Sequence, residues 1–161
     1  MNFVGFEDTS LKFVISQQFL DDGQWYRLVS CGFVHFGVFP VAMNMLLAFQ
    51  LGQMLEPKLN SVRFGLLYFF SLIGGSIGAV VVSPDAITGG ASGAVFGLMA
   101  AAVVGLRRQG INPMRTGVGM TFVLNLVITL AIPGVSVGGH FGGAIVGALG
   151  GLLLYRVTPF S

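Results

Sequence analysis

The sequence predicts an all-α membrane protein, a polytopic bundle of five transmembrane helices, and three observations carry that prediction. The chain is 54% hydrophobic and only 9% charged, where soluble domains carry about 25% charged residues. Its few charges are set far apart and act as rulers, because a spanning helix needs roughly 20 apolar residues and an ionised group at mid-bilayer costs at least about 2.5 kcal/mol. Its 25 glycines recur at small-xxx-small spacing, which lets helix backbones approach one another inside a membrane.

No charge falls between Arg27 and Glu56, between Arg63 and Asp85, or between Asp85 and Arg107, so each interval holds one span. The interval from Arg115 to Arg156 is longer, and Pro133-Gly134 near its middle marks a turn that divides it in two. The predicted organisation is an external or interfacial segment over 1–30 and a transmembrane domain over 31–161, with spans near 33–55, 64–82, 90–107, 117–132 and 136–155.

Within the first segment the apolar run Phe13 to Leu20 is too short to span and carries Ser16, Gln17 and Gln18, so it is at most interfacial. Glu7 and Asp8 stand where a signal peptide would be basic. Trp25-Tyr26-Arg27 precedes the first span and reads either as a headgroup-level anchor or as part of a packed loop. Pro40 falls near the start of the first span, where a missing N–H is tolerated, and Glu56-Pro57 is expected to end it.

Six of the eight basic residues (Lys58, Arg63, Arg107, Arg108, Arg115 and Arg156) fall on one side of these spans, which is then cytoplasmic. The net charge of +2 thus reports topology and gives no support for a nucleic-acid partner. The single cysteine, Cys31, excludes an internal disulfide and suggests no metal cluster.

The polar residues inside the spans are few and sit toward the external ends. Ser92 lies at the start of the third span within Gly89-Gly90-Ala91-Ser92-Gly93, and His140 lies at the start of the fifth. Gly93 and Gly97 follow the serine, and Gly143 and Gly147 follow the histidine, so both helices offer a small-residue groove for close approach. A serine hydroxyl is a weak nucleophile until an adjacent base takes its proton, and a neutral imidazole does so at neutral pH. The Ser92 backbone N–H and the Asn44 side chain are candidate oxyanion donors. No buried Asp or Glu is at hand to orient His140, so the expected arrangement is a dyad with no metal and no cofactor. Each piece alone also has a packing explanation: the glycines as helix contacts, and Asn44 and Asn125 as structural hydrogen bonders.

Gly90-Ala91-Ser92-Gly93 followed by His140-x-x-Gly143-x-x-x-Gly147 resembles the rhomboid family of intramembrane serine proteases. So do Trp25-x-Arg27 before the first span, His35 and Asn44 within it, and Gly52 with Glu56 at its cytoplasmic end. The resemblance implies Ser92 as nucleophile, His140 as base, Asn44 as oxyanion support, Phe96 stacked on the histidine, Trp25 and Arg27 in a membrane-dipping external loop, and a structural role for Glu56. It further implies substrates that are transmembrane segments of other proteins, cut near the extracytoplasmic face of a bacterial plasma membrane.

Three features depart from the family pattern. Pro40 stands where a second histidine is common, and Phe96 where tyrosine is frequent. Five spans are read where the family core has six; the missing one would precede Trp25, so the sequence is expected to be truncated or late-starting, with a natural five-span form as the alternative. A catalytically silent rhomboid-like protein that binds transmembrane clients is the alternative function. A small-solute channel fits poorly, because the polar residues do not line a path from face to face.

Overall fold

The computed structural model describes residues 10–157, with side chains through Tyr155. Glu7, Asp8 and the Arg156 side chain, used above, lie outside that description. Two short helices, α1 (Gln17–Asp21) and α2 (Arg27–Ser30), precede five longer ones: α3 (Val38–Leu59), α4 (Ser61–Val82), α5 (Ser92–Arg108), α6 (Val118–Ala131) and α7 (Val137–Val157). These match the five predicted spans in number and order. By length and composition α3, α4 and α7 suffice to cross a membrane. The others are shorter, 17 residues in α5 and 14 in α6, or about 26 and 21 Å at the helical rise.

The first span differs from expectation at both ends. Cys31–Phe33 is a 3-10 turn, Val34 is extended, and Gly37 has φ +124°, a conformation no helix accommodates, so the helix begins at Val38 and His35 falls in the loop before it. Pro57 does not end the helix. It sits in the last turn, where its ring forfeits only the bond to the Gln53 carbonyl, and the chain continues to Leu59. The break comes at Asn60, whose φ of +67° leaves the helical region. Its ψ of 163° places it outside the left-handed helical well as well, and its side chain accepts from the Arg63 N–H (3.0 Å) to cap α4.

α5 is the axis of the bundle. Every residue from Gly93 to Ala102 is buried, which explains why its sequence is small and apolar all round. It packs between α4 and α7 through glycines on all three helices. A Cβ built on Gly93 would stand 3.0 Å from the Gly75 Cα and 3.1 Å from the Gly139 carbonyl oxygen; on Gly143 it would strike the Gly93 carbonyl, and on Gly147 the Gly97 carbonyl. The backbones are thus in direct contact. α6 is peripheral, with only Gly119 and Thr129 buried.

The N-terminal segment packs onto the bundle. Val14 and Ile15 are fully buried, Ile15 pairs with Thr88 in an antiparallel bridge, and the Gln17 N–H donates to the Pro84 carbonyl (3.0 Å). Arg27 is buried and donates to Gln24 Oε1 and to the carbonyls of Leu11 and Val14, each at 2.7 Å, with its guanidinium 3.9 Å above the Phe19 ring. Of the two readings of the Trp25-Tyr26-Arg27 cluster, Arg27 fits a packed loop, while Trp25 and Tyr26 are exposed.

Candidate active site

The segment leading into α5 is held from both sides before it delivers Ser92. Thr88 is tied to Ile15 through both backbone groups, and the Gly90 N–H donates to the Cys31 carbonyl (2.8 Å). The Ala91 N–H points at His35 Nε2 (3.4 Å). Gly90 has φ +129°, where a side chain would be strained. The backbone N–H of Val95 bonds to the Ala91 carbonyl, and no side chain caps α5. The Ser92 N–H therefore belongs to the helix's unpaired amino end.

His140 is set by the turn between α6 and α7. Gly134 (φ +85°) reverses the chain, Ser136 Oγ accepts from the Gly139 N–H (3.1 Å), and His140 follows in the first turn of α7. Its ring is stacked on Phe96, with centroids 4.1 Å apart and planes 14° from parallel. Phe96 in turn meets Phe122 edge-on at 6.0 Å. His140 Nε2 lies 2.8 Å from Ser92 Oγ, and Nδ1 lies 2.7 Å from Thr129 Oγ1.

Ser92, His140 and Phe96 thus come together, with Gly93, Gly143 and Gly147 forming the backbone contacts that allow it. His35 approaches through Ala91. Asn44 is half-buried on α3, and its carboxamide makes no hydrogen bond to the described residues, Ser92 and His140 included. Glu56 is at the far end of α3, where it borders an open groove of about 550 Å³ with Gly52, Pro57 and Phe64. That groove is remote from Ser92. Pro40 is exposed in the first turn of α3. Sequence reasoning missed Thr129, because a threonine in an apolar helix ordinarily bonds to its own backbone, and nothing in its neighbours marks it out.

A helical membrane protein that sets a serine hydroxyl against an imidazole between two glycine-lined helices is the class these features define. The Rhomboid domain family matches residues 22–157. Relatives include RHOMBOID-like protein 5 of Arabidopsis thaliana, 32% identical over 149 residues covering 88% of this chain and 48% of the relative. Rhomboid protease GluP of Bacillus subtilis (strain 168) is 33% identical over 128 residues, 78% of this chain and 25% of the relative. Rhomboid-type serine protease 2 of Emericella nidulans is 32% identical over 145 residues, 83% of this chain and 27% of the relative. The chain belongs to the rhomboid family and is an integral, multi-pass membrane protein. It spans less than half the length of these relatives.

Proposed function

We propose that this protein is an intramembrane serine endopeptidase that hydrolyses peptide bonds in or near the transmembrane segments of other proteins. The observation that carries the reading is the 2.8 Å contact between His140 Nε2 and Ser92 Oγ, in a chain two of whose relatives are named as proteases. His140 takes the hydroxyl proton as Ser92 Oγ bonds to the scissile carbonyl carbon. The tetrahedral oxyanion is received by the Ser92 N–H, aided by the positive end of α5, and by the unpartnered Asn44 carboxamide. Collapse breaks the C–N bond, and His140 returns the proton to the leaving amine. Water, deprotonated by the same imidazole, then releases the acyl group. These steps require no metal or cofactor.

Phe96 holds the imidazole plane, and His35 supports the loop ahead of Ser92. The Lys and Arg distribution supports an orientation with Ser92 and His140 toward the extracytoplasmic face. The full-length chain in liposomes, given a single-span substrate labelled on both sides, is expected to produce one discrete cut that Ser92→Ala and His140→Ala abolish. Undiminished cleavage by Ser92→Ala overturns the reading. Substrate binding by the wild type with no cleavage favours the client-binding alternative.

A further inference from the structure

We propose that Thr129 is a positioning residue that holds His140 in the Nδ1–H tautomer, so that the Nε2 lone pair faces the serine hydroxyl. Thr129 Oγ1 lies 2.7 Å from the Asn125 carbonyl oxygen and 2.7 Å from His140 Nδ1. A carbonyl can only accept, so the single hydroxyl proton of Thr129 is committed to Asn125. The remaining contact requires His140 Nδ1 to be the donor. In a neutral imidazole Nε2 is then the acceptor, and its partner at 2.8 Å is Ser92 Oγ. The chain of donors therefore runs from Ser92 to His140 to Thr129 to Asn125.

Burial makes this ordering consequential. Thr129 is 2% exposed and His140 8% exposed, so water has little access to replace either bond, and the opposite tautomer would set an Nδ1 lone pair against an oxygen whose proton is already engaged. Thr129 is also one of only two buried residues on α6. Its hydroxyl therefore joins a peripheral helix to the imidazole without bringing a carboxylate into the apolar interior.

The proposal rests on the reading of Ser92 and His140 as nucleophile and base, but its direct test needs no substrate. Nitrogen-15 spectra of the full-length protein in detergent, with the His140 signals identified by their loss in His140→Ala, are expected to show Nδ1 protonated and Nε2 bare. A wild-type His140 protonated at Nε2 overturns the proposal whether or not the protein cleaves anything. In Thr129→Val, which keeps the shape and removes the hydroxyl, Nε2-protonated His140 is expected to appear. Cleavage should show kcat about tenfold lower with KM unchanged, the scale of one net hydrogen bond, and Thr129→Ser should restore both the tautomer and the rate. Equal kcat in wild type and Thr129→Val overturns the proposal while leaving the Ser92–His140 reading intact. Loss of wild-type cleavage in the presence of an Nδ1–H ring would instead count against the reading of function.

Discussion

At the scale of single residues, His140 is held on three sides by different kinds of contact. Ser92 and Thr129 fix its two nitrogens and Phe96 covers one face of the ring. The stack acts on the orientation of the ring plane, so its loss should appear in turnover before it appears in stability. Phe96→Leu, which keeps an apolar side chain of similar bulk, is expected to lower kcat roughly two- to tenfold, the worth of an aromatic pair beyond its burial. Because Phe96 is also buried against Phe122, the melting temperature in detergent should fall modestly as well, and turnover at the wild-type rate would show that the stack is not needed. Ser92 and His140 were legible in the sequence because a hydroxyl and an imidazole are conspicuous among glycine and aliphatic residues. Thr129 was not, since a hydroxyl bonded to its own helix and one that also reaches across to another helix look alike in sequence.

Among the elements, α4, α5 and α7 form the rigid frame, and their glycines set the distance between Ser92 and His140. A methyl group at Gly143 or Gly147 would meet backbone carbonyls of α5, which cannot rotate aside as a side chain can. Gly143→Ala and Gly147→Ala are therefore expected to destabilise the protein by about 1–3 kcal/mol, the usual cost of overpacking, seen as a lower melting temperature in detergent. Gly23→Ala, at a turn with open space around it but φ +80°, should cost only the smaller backbone strain. Equal melting temperatures for Gly147→Ala and the wild type would contradict the close-packed frame. Charge-free intervals, with the Pro133-Gly134 turn dividing the longest, located all five long helices, whereas their ends were harder to read. Gly37 and Asn60 decide where α3 starts and stops through positive φ angles, a choice that depends on how the turns join their neighbours. Pro57 was misjudged for a different reason: in a final turn it removes one hydrogen bond and need not break the helix.

Over the whole molecule, the N-terminal segment and the bundle form one structure. The strap from Ile15 to Thr88 and the buried Arg27 network hold the loops over the amino end of α5, so that the serine enters its helix from a braced segment. Sequence composition predicted an interfacial segment, yet it gave no sign of the strap, which joins residues 73 positions apart through backbone groups alone. The structure sets Ser92, at the start of α5, against His140 in the first turn of α7. The chemistry proposed for that pair is tested most directly by labelling the full-length protein in liposomes with a fluorophosphonate, which reports an activated serine without the need for a substrate. The wild type is expected to incorporate the probe at Ser92, and both Ser92→Ala and His140→Ala are expected to remain unlabelled. Absence of label on the wild type, or equal labelling of Ser92→Ala, would contradict the assignment of Ser92 as a nucleophile activated by His140.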